Sequence, residues 1–155
     1  MSAKGEFFKA KIRTAALNAT RDGIEVAARK LQVILKTEVL NQGDSRGDRV
    51  RTRNTSKGRK GSTYKTWVRG SPPGEPPYTF TGNLIRSIKV DESQLKTDKP
   101  KARVGTNAVY APPLEYGSRR NAPRPFLRPT LVNRKTELAE LFQKKVFASF
   151  RRYMR

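Results

Sequence analysis

Apolar residues recur at three- and four-residue steps from Glu6 to about Leu40. Phe8, Ile12, Ala15, Ala16, Ala19, Ala27, Leu31, Ile34, Leu35 and Val39 form the stripe, and Lys and Arg fill the other face. This is the period of a long amphipathic helix. Gly23 costs about 1 kcal/mol relative to Ala in such a helix, which predicts a break or bend near Asp22-Gly23. The helix is expected to stop at Asn41-Gln42-Gly43, where Asn and Gly suit a C-terminal cap. A second stripe, Leu131, Leu138, Leu141, Phe142, Val146, Phe150 and Tyr153, predicts a C-terminal helix from about Thr130, packed on a sheet.

The middle of the chain has a different pattern. Tyr64 to Val68 reads as a short strand, and Ser71 to Pro77, SPPGEPP, as a rigid extended connector poor in ladder donors. Thr81 suits the cap of a helical turn over Gly82 to Arg86. Ser87 to Val90 and Lys101 to Thr106 then form a hairpin around the polar turn DESQLKTDKP. Val109 to Ala111 and Arg124 to Leu127 are candidate edge segments, since Pro112, Pro113, Pro123 and Pro125 exclude a central strand. The expectation is one α+β domain, a small antiparallel sheet with both helices on one face. It divides into a helix over 1–41, a mobile basic loop over 42–62, sheet and Pro-rich connectors over 63–129, and a helix over 130–155.

Charge changes this picture. Thirty-four Lys and Arg against 13 Asp and Glu give +21 in 155 residues. Residues 42–70 carry +7 and residues 101–155 carry +10, together +17 of the total, whereas 71–100 are neutral. An excess of this size exceeds what solubility requires and points to an acidic partner. Residues 42–62 hold seven cations, four Gly and one apolar residue, too little apolar surface to offset the entropy of ordering. Arg46, Arg49, Arg51, Arg53, Lys57, Arg59 and Lys60 therefore read either as a solvated loop or as a contact to DNA phosphates or an acidic protein. No aromatic interleaves these cations, which argues against stacking on single-stranded bases.

Chemistry is restricted by what is missing. There is no Cys and no His. That removes disulfides, thiolate nucleophiles, His general bases and nearly all zinc and haem sites, so no catalytic, cofactor or metal residue is assigned. Glu75 and Glu115 are the carboxylates in Pro- and Gly-rich contexts, and an ion-pair role fits them better than catalysis. Arg46-Gly47-Asp48 is a chance tripeptide here. The Gly58–Gly61 region lacks the strand and helix of a phosphate loop. Mean hydropathy is −0.77. No run approaches a membrane span and Met1 to Glu6 show no apolar signal core, so a cytoplasmic protein without a membrane partner is expected.

Two stretches carry a resemblance. Ser71 to Ile88, SPPGEPPYTFTGNLIRSI, and Val104 to Leu131, VGTNAVYAPPLEYGSRRNAPRPFLRPTL, resemble the minor tail components of siphophages that complete the tail and join it to the head. The shared features are Pro-Gly-Glu-Pro-Pro, Thr-Gly and Ser-Ile in the first, and Val-Gly-Thr, Tyr-Ala, Glu-aromatic-Gly and Arg-Pro-Phe-Leu-Arg-Pro in the second. Ser118 stands where the family usually has Thr, and the 42–62 insertion is less typical of it. The resemblance implies a non-enzymatic virion protein, assembled in the host cytoplasm. It would form a homo-oligomeric ring, expected to be a hexamer, between a head-connector or stopper protein and the tail tube or tail terminator, with double-stranded DNA in the channel as a candidate contact. Glu115, Tyr116, Arg119, Arg120, Arg124, Phe126, Leu127 and Arg128 then become the expected interface, with Glu115 organising the guanidinium groups. The competing expectation is a free-standing basic nucleic-acid-binding protein. A carboxylate enzyme is a remote third, because paired acids are not visible.

Overall fold

The computed structural model describes residues 3–40, 50–54, 63–67, 71–78 and 81–155. Helix α1 (Ala3–Ile34) runs into a π turn (Leu35–Val39), followed by strands β1 (Val50–Asn54) and β2 (Thr63–Trp67). Next come α2 (Asn83–Ser87), β3 (Ile88–Asp91), β4 (Arg103–Thr106), α3 (Ala111–Tyr116), α4 (Leu127–Asn133) and α5 (Lys135–Met154). The α+β class expected from the pattern is the class observed, with two separate antiparallel hairpins, β1–β2 and β3–β4.

Helix α1 does not break at Gly23. Ala15, Ala19 and Gly23 are buried at four-residue steps, a row of small residues against which α5 lies antiparallel. A Cβ at Gly23 would sit 2.6 Å from Val146 Cγ2 and 2.8 Å from Phe142 Cδ2. The glycine thus admits the neighbouring helix, and packing outweighs its weak helix propensity. Asp22 fastens the same crossing, accepting from Ser149 Oγ at 2.7 Å and from the Arg152 guanidinium at 2.9 Å. At the other end Lys30 meets Glu137 at 3.5 Å, and Arg134 bridges Glu137 and Glu38. The main partner of α5 is therefore α1, where the sequence pattern placed it on a sheet. An i→i−5 bond from Leu40 N–H to Leu35 O, 3.0 Å, closes the π turn. The extra residue in this turn brings Ile34, Leu35 and Leu40 to full burial together.

The core gathers Leu31, Leu35, Leu40, Ile88, Ala111, Phe126 and Leu138. Hairpin β3–β4 lies against α1 in the register Ile88↔Thr106 and Asp91↔Arg103. Gln32 donates to Ile88 O at 2.9 Å, and Arg21 donates to Lys96 O and Thr97 O of the turn at 3.0 and 3.1 Å. Arg29 pairs with Glu92 at 2.9 Å. That guanidinium, through its hydrogen bond, holds the Glu92 carboxyl below the usual carboxylate range.

Two edge segments expected from the sequence are absent. Val109 to Ala111 lead into α3, where Pro112 and Pro113 occupy the first helical positions; these need no amide donor, so proline is tolerated there. Arg124 to Leu127 form no strand: Arg124 N–H bonds Leu114 O, Pro125 has no amide donor, and Phe126 and Leu127 are the N-cap and first residue of α4. The second apolar stripe also begins earlier than expected, in α4, and Leu131 falls out of phase with α5 at 47% exposure. The basic segment read as a loop contains strand β1. Val50 and Thr52 alternate with arginines, and β1 pairs with Thr63–Trp67, whose residues other than Lys65 are β-formers, a period-two signal that loop-like composition masked. The rest of that segment, 42–49 and 55–62, lies outside the described residues, as do Arg46, Arg49, Lys57, Arg59, Lys60 and the expected helix stop at Asn41–Gly43.

Candidate interaction surface

The two Pro-rich runs meet in one corner of the molecule. Pro72 to Glu75 form a tight turn in which Glu75 N–H donates to Pro72 O at 3.3 Å and Gly74 has φ +85°. Proline and then glycine at the two central positions satisfy the left-handed backbone that such a turn demands; the segment expected to be simply extended is folded back here. Gly74 N–H then reaches Pro123 O at 2.9 Å. Arg124 ties the corner from the other side, its Nε donating to Ser71 O at 2.9 Å and its backbone N–H bonding Leu114 O.

Glu115 does not organise the arginines. Its Oε2 accepts the N–H of Phe126 at 2.9 Å and of Leu127 at 3.0 Å, and its Oε1 accepts that of Arg128 at 2.8 Å. A helix start leaves such N–H groups without intrahelical partners. The first residues of α4 offer no side-chain cap of their own, so a carboxylate 11 to 13 positions upstream supplies it. Ionised acceptors make the stronger bonds to backbone donors and suit the positive end of the helix. Sequence reasoning missed this because the spacing shows two motifs side by side and not that one caps the other.

Phe126, 1% exposed, belongs to the chain's own core, and Leu127 packs against it. Phe126 thus anchors its run within the subunit and is not free to meet a neighbour. Tyr116, Arg119, Arg120 and Arg128 are exposed. Ser118 and Asn121 close a tight bridge, Ser118 N–H to Asn121 O at 2.9 Å, which holds Arg119 and Arg120 at its tip. Gly117, φ +84°, permits the entry to this tip; a Cβ there would lie 3.1 Å from Pro123 Cδ. None of these three arginines forms an ion pair among the described residues.

Beside the tip runs a groove of about 370 Å³, with Gly105 and Thr106 on one wall, Tyr116 and Leu131 on its rim and Leu127 in its lining. The rim is apolar and open to solvent, with Tyr116 73% and Leu131 47% exposed. Val109 and Tyr110, on the turn before α3, are also exposed. The sequence reading did not single out Val109, Tyr110 or Leu131 as surface. Their exposure became visible only when α3 and α4 proved to be helices. A second apolar surface lies at the start of α1, where Phe7 and Phe8 project beyond the point at which Lys11 meets Met154 O, the end of α5. No helix among the described residues is long and apolar enough to cross a membrane.

No protein-family model matches the chain, and neither a curated protein nor a solved structure matches it.

Proposed function

We propose that the chain is a structural subunit of a long-tailed bacteriophage particle, a tail-completion or neck component. Its copies form a ring, six in number, that joins the tail tube to the head connector and lets DNA pass. One observation carries the reading. The two stretches that resemble siphophage tail-completion components, separate in sequence, converge on one corner through the Gly74–Pro123 and Arg124–Ser71 bonds. That corner is internally rigid and externally apolar and basic, which is the character of a surface built to be covered.

In this reading Tyr116, Leu127, Leu131, Arg119, Arg120 and Arg128 meet the next subunit or the adjoining ring. A head-to-tail contact of that kind closes when its rotation divides a full turn. The role is mechanical, and no turnover is expected. The rival reading, a free-standing basic nucleic-acid-binding protein, rests on the +21 charge; it leaves the joined corner without a purpose.

The test uses the full chain. Mass photometry and negative-stain electron microscopy should show rings, either alone or with tails from particles lacking the protein, and such particles should accumulate unjoined heads and tails. Tyr116→Ser with Leu131→Ser should abolish rings without lowering the melting temperature, because both residues are exposed. A chain that stays monomeric in every mixture, with normal joining in its absence, would refute the proposal.

A further inference from the structure

Register gives the β1–β2 pair two distinct faces. Strand β1 pairs with β2 as Val50↔Trp67, Arg51↔Thr66, Thr52↔Lys65, Arg53↔Tyr64 and Asn54↔Thr63. Strand positions alternate between faces, so Arg51, Arg53, Tyr64 and Thr66 share one face and Val50, Thr52, Lys65 and Trp67 the other. From Val50 to Trp67 the sequence holds six cations, Arg51, Arg53, Lys57, Arg59, Lys60 and Lys65, and no acid. A run of a single sign makes a field suited to a partner of the opposite sign. Eighteen residues with six positive charges and no negative one match a uniform polyanion.

We infer that the β1–β2 ribbon is a DNA-contacting arm, with its Arg51/Arg53 face binding double-helical DNA through the phosphates. It rests on the neck reading for the source of the duplex, the DNA threading the ring, and on the ribbon itself for the binding. The dimensions agree. Five paired residues span about 17 Å, and a two-stranded ribbon fits a major groove about 12 Å wide. Arg51 and Arg53 stand about 6.6 Å apart along the strand, while the duplex offers one charge about every 1.7 Å of its axis, so each can take its own phosphate. A single-strand platform would need successive aromatics on the binding face. The register puts Tyr64 there beside Arg53, which the linear sequence did not suggest, but it puts Trp67 on the opposite face, so no stacking ladder forms. The contact is therefore electrostatic and indifferent to sequence.

The experiment is fluorescence anisotropy of the full-length protein with a mixed-sequence duplex and the matching single strand, across salt from about 50 to about 200 mM. Duplex affinity should fall linearly with salt on logarithmic axes. Arg51→Ser with Arg53→Ser should reduce that slope by about two units, near 0.9 for each phosphate that is no longer neutralised. Arg51→Lys with Arg53→Lys should keep the slope, and both variants should melt like the parent. An unchanged slope in the Ser variant overturns the inference, as does tighter binding of the single strand. A reduced slope in the Lys variant would overturn the phosphate mechanism. Intact duplex affinity without attachment to heads or tails would assign the ribbon to an acidic protein instead. Ring formation measured without DNA tests the neck reading separately, so either can fail alone.

Discussion

The helical body and the β1–β2 ribbon use charge in opposite ways. In the body five acids hold elements together: Asp22 binds α5, Glu38 and Glu137 share Arg134, Glu92 takes Arg29, and Glu115 caps α4. In the ribbon the chain supplies no acid at all between Val50 and Trp67. The contrast teaches that acids and cations are distributed unevenly between the two regions. Several of the few carboxylates stand where they organise structure, and one continuous segment carries cations alone. Substitutions of these acids and of the core should therefore change melting and leave duplex binding per folded molecule intact, and ribbon substitutions should do the reverse.

The sharpest separation comes from Phe126→Ala. Truncating a fully buried Phe costs about 3–5 kcal/mol, a large share of a small domain's stability. Thermal or denaturant unfolding should show the loss. A variant that melts normally would mean that Phe126 does not hold the corner to the core.

Gly23→Ala should have a smaller effect with an informative sign. Helix propensity alone predicts a gain of about 1 kcal/mol. The new methyl would, however, collide with Val146 and Phe142, and overpacking costs about 1–3 kcal/mol. The expected net outcome is a lower melting temperature. A higher one would show that α5 can shift away from α1 without penalty.

The smallest expected effect is at Glu92→Gln. Arg29 depresses the folded-state pKa of Glu92, so the pair's contribution is present above the ordinary carboxylate pKa and disappears as pH falls through the depressed one. Parent and variant should differ slightly in melting near neutral pH and converge in acid or high salt, since exposed pairs are weak and screened. A difference that persisted in acid would point to a packing role for the side chain.

Much of the architecture was legible in the chain because it depends on local periodicity. The α1 stripe, the β3–β4 hairpin and the C-terminal helix follow from spacing that any window of the sequence displays. The prolines misled where their position within an element mattered: Pro112 and Pro113 open a helix, although along the bare chain they look like strand breakers. Strand β1 was hidden because Arg, Gly and Lys dominate its neighbourhood, and its pairing partner lies beyond the Lys57–Gly61 tract. Of the candidate surface, the exposed Tyr116, Arg119, Arg120 and Arg128 stood out as a motif, while the apolar rim at Leu131 did not.

By itself the sequence determined the α+β class, the two long helices, the absence of Cys and His chemistry, and the location of the surplus charge. Those properties are sums or periods over neighbours along the chain. Only the tertiary structure decided that Gly23 is a helix-crossing point and not a break, that Glu115 caps α4 instead of gathering arginines, and that the two Pro-rich runs share a corner. Each depends on which groups separated in sequence end up within about 3 Å, the reach of a hydrogen bond. That distance is set by how the core closes around Phe126 and Leu35, and no local pattern encodes it.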